Sequence, residues 1–299
     1  MSLVASTAFQ FNPAIQPRAF VVLGHLGKEE IDDDLLYQIL VALRGALAIF
    51  NDSDPNLVMS IMMCLKNVVG SLPSDSVYLL QLFWVSVALV ELNAPTIFSM
   101  ALELLEAVFR SLDSNGYFSD GQSVSEVLLA ARTPIADVAN NLDRLCGVNF
   151  NTHFSFAIAG IVMKGLRHGD IKTLIYTSLC TFLDIERKQR FKNYTKDSDI
   201  IEAETLGYVT ALLPIAAKNN SVDDLLKLAG ILDYEVGEDE KTHEGIFDKL
   251  DVPDNTTSLL VISLLATMLN TADSESERLF IYGLLSEAAI SMPEVFSLM

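Results

Sequence analysis

The sequence predicts an all-α protein, specifically a HEAT- or armadillo-like α-solenoid of about a dozen antiparallel helices. Three observations lead there. Apolar residues recur at helical spacing through nearly every segment, and no stretch alternates with the period of a strand. Turns rich in Pro, Asn, Asp and Gly separate segments of about 12 to 20 residues, and such short turns force neighbouring helices antiparallel. The chain has 299 residues. One core rarely grows past about 250 to 300 residues, so stacked helical pairs of about 40 residues are favoured over a compact bundle.

Residues 1–17 form an N-terminal flank, and 18–232 form the helical repeat region. Residues 32–50 carry Leu35, Leu36, Ile39, Leu40, Leu43, Leu47 and Phe50 at helical spacing. Asp32, Asp33 and Asp34 crowd the start of that helix, where the positive end of its dipole favours carboxylates. Residues 51–55 break it. Asp54 followed by Pro55 opens the next helix, because proline at the first helical position gives up a donor that had no partner. That helix runs to about residue 71.

After a turn at Pro73, residues 77–92 are apolar almost all round. They are expected to lie between neighbouring helices, with Trp84, the single tryptophan, in the middle. Residues 96–112 place Ile97, Met100, Ala101, Leu104, Leu105, Val108 and Phe109 on one face, with Glu103 and Glu106 largely on the other. Residues 111–122 read as the first real loop. The helix at 123–132 opens with Ser123 and Glu126 in capping-box spacing; another spans 134–146.

Further helices cover 152–166, stopped at Gly169, then 170–191, 199–217 and 221–232. Pro214 should kink or end the third of these. Residues 233–255 read as an acidic loop with one helical turn at 246–250. Residues 256–299 read as a closing helix pair of the same solenoid, 256–270 and 273–291, with an apolar tail that suggests truncation.

Composition narrows the functions. Acidic residues number 39 against 20 basic ones, for a net charge of -19. That field repels a phosphate backbone and an anionic membrane surface, so nucleic-acid binding is not expected. Hydrophobic residues make up 51% of the chain, with a mean hydropathy of +0.35. The longest apolar run, 77–92, is still shorter than the roughly 20 residues a bilayer span needs. The N-terminus lacks the basic start and apolar core of a signal peptide, so a cytoplasmic protein is expected. Cys64, Cys146 and Cys180 are widely spaced and read as buried free thiols.

No residue pattern marks a catalytic, cofactor-binding or metal site, and the chain is not expected to be an enzyme. Arg44 and Arg110 sit in or at the end of apolar helices and read as surface or capping residues, not as arginine fingers. His25, His153, His168 and His243 show no ligand spacing. Asp32 to Asp34 lack the glycine and terminal glutamate of a calcium loop. Asn149 and Asn151 read as loop or capping residues. The stretch 187–196, with Arg187, Lys188, Arg190, Lys192 and Lys196, is the local exception to the acidic field. It reads first as the solvated basic end of a helix, and second as a dock for an acidic or phosphorylated partner.

Four stretches resemble one family. They are RAFVVLGHL at 18–26, FWVSVALVEL at 83–92, the VNFN…FAIAGIVMKGLRH block at 148–168, and LLVISLLATMLN…ERLFIYGLLSEAAISMPEVF at 259–296. Their content and order are similar to the C-terminal, non-catalytic region of neurofibromin and the fungal inhibitors of Ras. The block at 148–168 is the most specific. The long basic insertion of animal neurofibromin, associated with nuclear import, has no counterpart here. Its place, about 218–254, is short and acidic, so that role does not carry over.

The resemblance implies a scaffold fragment of a Ras GTPase-activating protein. Ras would be engaged through a separate catalytic domain of the parent, which supplies an arginine finger and whose motif this chain lacks. Protein partners, self-association included, are expected, with the parent peripheral at membranes. Two other readings stand beside it: a generic HEAT-type adaptor unrelated to Ras, and a divergent GTPase-activating domain.

Overall fold

The computed structural model describes residues 2–28, 31–119, 122–169, 171–193, 201–219, 221–231, 246–250 and 252–293. Among them are fourteen α-helices and four short 3-10 turns. The β pairing within these residues is a single parallel bridge between Ile201 and Leu250. The all-α expectation therefore holds. The chain divides into two compact units, residues 1–118 with 130–136, and residues 119–129 with 137–299.

The first unit holds α1 (Ser2–Phe9), α2 (Gln16–Leu26), α3 (Asp33–Ala48), α4 (Asn56–Val68), α5 (Leu79–Glu91) and α6 (Phe98–Ser114). Asp32 is the N-cap of α3 and accepts from the Leu35 amide at 2.8 Å. Asp33 turns away to accept from Ser76 Oγ at 2.5 Å and from the Val77 amide at 3.3 Å. Pro55 is the N-cap of α4 and not its first helical residue, one position earlier than expected. The apolar α5 buries Leu82, Phe83, Trp84, Val87 and Val90. On α6 the predicted stripe is buried at Ala101, Leu104, Leu105, Val108 and Phe109.

The loop expected to begin at residue 111 starts later, because α6 runs on to Ser114. Leu112 is buried and Ser111 Oγ donates to the Val69 carbonyl at 3.1 Å. Gly116, at φ 75°, then closes the helix. It lets the Tyr117 amide reach the Leu112 carbonyl and its own amide reach Asp113, a Schellman end. Residues 130–136 return to this unit, where the Arg132 guanidinium lies 4.7 Å over the Trp84 ring.

Within α7 (Val124–Ala130) the capping box forms as expected. The Glu126 amide donates to Ser123 Oγ, and the Glu126 carboxylate accepts from the Ser123 amide.

The second unit contains α8 (Ala136–Cys146), α9 (Phe154–Met163), α10 (Lys172–Asn193), α11 (Ala203–Lys218), α12 (Val222–Ala229), α13 (Asn255–Thr271) and α14 (Glu275–Ser291). Pro214 neither ends nor interrupts α11, which continues to Lys218. It lies in the last turns of a helix buried along most of its length, where tertiary packing outweighs one lost backbone bond. Helix α12 stops at Ala229, short of the expected residue 232, because Gly230 is left-handed. The helical turn expected at 246–250 appears as a 3-10 turn at Phe247–Lys249. Residues 233–245 of the acidic loop, residue 232 before it and the apolar tail at 294–299 lie outside the described residues.

Consecutive helices touch, as α1 on α2, α5 on α6 and α10 on α11, and so do some alternate ones, α2 on α4 and α4 on α6 in the first unit, α9 on α11 and α11 on α13 in the second. Five hydrogen bonds between segments of the first unit span a similar step. They join Ser76 to Asp33 and Ser71 to Lys28 across 43 residues, Ser111 to Val69 across 42, Thr96 to Asp52 across 44 and Tyr117 to Ser76 across 41.

Candidate functional site

The block at 148–168 builds one wall of a cleft in the second unit. Helix α9 is held on one side by α11. Ser155 Oγ accepts from the Gly207 amide at 3.2 Å and donates to the Ala203 carbonyl at 3.3 Å. At its start, His153 stands between Thr152 Oγ1, at 2.8 Å from Nδ1, and Thr257 Oγ1 of α13, at 3.5 Å from Nε2. Asp254 caps α13 by accepting from the Thr257 amide at 2.8 Å. Further along the two helices, a cleft of about 130 Å³ opens between them.

Its floor is apolar, formed by Phe156, Ala157 and Ile161 of α9 with Leu260 and Leu264 of α13. Its rim is polar, with Cys146, Lys164, Ser263 and Thr267. Gly160 lines it too, and a Cβ placed there would meet nothing within 4 Å. A glycine inside a helix costs about 1 kcal/mol against alanine. No neighbour requires Gly160 to be small, so the space beside it is open cleft.

The residues weighed from sequence do not gather. Arg44 is exposed on α3, and Arg110 pairs with Glu106 one turn earlier at 2.8 Å. His25 is exposed at the end of α2, and His168 follows the 3-10 turn at Lys164–Arg167. His243 lies outside the described residues. Asn149 Oδ1 accepts from the Asn151 amide at 2.8 Å, and the Asn149 carbonyl accepts from His153. That is a loop turn leading into α9.

Part of the basic stretch is structural. Arg187 donates to the Leu228 carbonyl at 3.0 Å, tying α10 to the end of α12, and Lys188 pairs with Asp184. The side chains of Arg190 and Lys192, and the whole of Lys196, lie outside the described residues. The cysteines are free, but only Cys64 is buried, while Cys146 and Cys180 are half-buried. Burial pushes the Cys64 thiol up to about 12. Among the described residues no group of three or more His, Cys, Asp or Glu comes together around a metal-sized site.

No family model matches the chain. It is similar to the inhibitory regulator protein IRA2 of Saccharomyces cerevisiae, 24% identical over 180 residues. That alignment covers 59% of this chain and 6% of the relative, so the chain corresponds to a small part of that protein. Among the described residues no helix is long and apolar enough to cross a membrane.

One charged link near the site predicts a pH response. Asp273, just before α14, is hydrogen-bonded to Lys172 of α10, and that bond holds its carboxyl below the ordinary value of 3.8. A depressed carboxyl contributes stability that is present above its unfolded pKa and lost as pH falls through the folded one. The Asp273→Asn variant should therefore melt below the wild type at pH 7. The gap should narrow as pH falls below 3.8 and close once the folded carboxyl is protonated and the wild type, like the variant, carries no charge there. Thermal melts from pH 7 to 2 read this directly; a gap constant with pH would contradict it.

Proposed function

We propose that the chain is a non-catalytic helical-repeat segment of a negative regulator of Ras. It acts in the cytoplasm as a scaffold that presents helical surface for self-assembly or for adaptor proteins. Ras itself is engaged through a catalytic domain elsewhere in the parent protein. The observation that carries this reading is the similarity to IRA2.

Two structural features support the scaffold half. The step of 41 to 44 residues between these bonded segments of the first unit lies within the period of about 40 to 47 residues in HEAT and armadillo repeats. Large apolar side chains also stand exposed in helical register. They are Ile15, Val22 and Leu26 along α2, Tyr37 and Val41 on α3, and Leu279, Tyr282 and Ile290 on α14. Such side chains offer apolar surface that a protein partner could cover.

The test is single-turnover GTP hydrolysis by purified Ras with the chain added in excess. The expected rate is that of Ras alone. An acceleration of about 10³-fold or more, the scale an arginine finger supplies, would place catalysis in this chain and overturn the reading.

A further inference from the structure

The end of α6 carries the one asparagine of the chain that is followed by glycine, Asn115 before Gly116. We propose that this pair is a deamidation site that the folded first unit holds shut, and that it reacts, in one direction only, when the end of α6 opens. The proposal is independent of the Ras reading.

The chemistry needs only water. The Gly116 backbone nitrogen attacks Asn115 Cγ, and glycine leaves that nitrogen accessible because it has no side chain. The new C–N bond closes a five-membered succinimide. The side-chain nitrogen leaves as ammonia, taking the proton of the Gly116 amide. Water then opens the ring at one of its two carbonyls. The product is aspartate or isoaspartate, with a carboxylate where a neutral amide stood.

Three features of the fold oppose the first step. The ring needs Cβ of Asn115 and the Gly116 nitrogen on the same side of the bond between Cα and the carbonyl carbon. Asn115 has φ -84° and ψ 3°. That ψ eclipses the Gly116 nitrogen with the amide nitrogen of Asn115, so Cβ stands a third of a turn away. The attacking nitrogen is also engaged, since the Gly116 amide donates to the Asp113 carbonyl at 3.0 Å. So is the leaving group. Asn115 Nδ2 donates to the Ser111 carbonyl at 2.9 Å and to Ser111 Oγ at 3.2 Å.

The same end is tied to an earlier segment. Ser111 Oγ donates to the Val69 carbonyl at 3.1 Å, and Tyr117 Oη to the Ser76 carbonyl at 3.2 Å. Turning ψ of Asn115 into the reactive range moves Gly116 and Tyr117 together. It therefore breaks their amide bonds to Asp113 and Leu112 and draws Tyr117 away from Ser76.

The product opposes reclosure. It places a carboxylate at the negative end of the helix dipole, two residues from Asp113. It has lost the hydrogens that Nδ2 gave to Ser111. Isoaspartate also adds a carbon to the backbone, which shifts the Schellman pairing.

The test holds the full chain at mildly alkaline pH, folded and in guanidinium. Mass mapping of the tryptic peptide 111–132 follows the reaction, and enzymatic methylation reads isoaspartate. The unfolded chain should deamidate at Asn115, and the folded chain at least about tenfold more slowly, because only the open fraction reacts. Tyr117→Phe and Ser111→Ala each remove a tie to the earlier segment. Each should speed the folded reaction about two- to tenfold, the scale of one lost hydrogen bond. Hydrogen exchange at Gly116 and Tyr117 should rise in step. Amides in the middle of α4 should keep the wild-type rate, which separates opening of the end from unfolding of the unit. Asn115→Asp, the direct product, should speed exchange at Gly116 and Tyr117 by itself.

No reaction at Asn115 in the unfolded chain, or equal rates in the folded and unfolded chain, would overturn the proposal. So would a folded rate that neither variant raises, or a rise matched by faster exchange in α4. Wild-type exchange at Gly116 and Tyr117 in Asn115→Asp would overturn the one-way character of the site.

Discussion

Gly207→Ala should destabilise the second unit by about 3 kcal/mol, at the upper end of what overpacking usually costs. An added Cβ would lie 2.4 Å from the Phe156 amide nitrogen, 2.5 Å from the Ser155 carbonyl carbon and 2.7 Å from its oxygen. All three are backbone atoms, so no rotamer change relieves the clash and α9 must move as a whole. The move would also pull apart the bond from the Gly207 amide to Ser155 Oγ. Alanine's better helix propensity offsets only about 1 kcal/mol of this.

Gly45→Ala is the control. Gly45 lies in α3, and a Cβ there meets nothing within 4 Å, so the same chemical change should stabilise by about 0.5 to 1 kcal/mol. Urea unfolding measures both, and hydrogen exchange should show faster opening of α9 and α11 in Gly207→Ala alone. Opposite signs would confirm that close approach, and not propensity, fixes Gly207.

Phe109→Ala should cost about 3 to 5 kcal/mol, the usual range for emptying a buried aromatic site. Phe109 sits between Phe83, at 5.9 Å, and Phe118, at 5.6 Å between ring centroids, and all three are essentially inaccessible. Phe83 in turn meets Trp84 edge-on at 5.3 Å. The cavity should loosen the environment of the single tryptophan. A fall in the urea midpoint with a shift in tryptophan emission reads both effects. A midpoint unchanged from wild type would mean that this aromatic cluster does not anchor the first unit.

Those two sites show what could be read from sequence and what could not. The stripe on α6 was legible because a one-sided apolar period needs no knowledge of the partner, and Phe109 lies on it. The capping box was legible for the same reason, since Ser123 and Glu126 interact within one turn. Gly207 was not legible. Its requirement comes from α9, about 50 residues away in sequence, and nothing local marks it. Pro214 misled because its local cost is real, but it falls near the end of a helix that packing holds on most sides.

The cleft lies between these cases. Its walls are the acid-free runs at 144–169 and 255–272, visible in a chain of net charge -19. That they face each other is visible only in the fold. Arg187 shows the limit from the other side. As part of a basic run it read as solvated, yet it is bonded to the end of α12 through the Leu228 carbonyl.

The most direct test of the account is a graft in yeast, read as the level of GTP-bound Ras. The segment of IRA2 that aligns with this chain is deleted, then replaced either by the chain or by an unrelated helical-repeat segment of equal length. If the chain is a scaffold segment of a Ras regulator, deletion raises GTP-bound Ras and this chain restores it more fully than the unrelated segment. Restoration no better than that of the unrelated segment would contradict the assignment to Ras regulation.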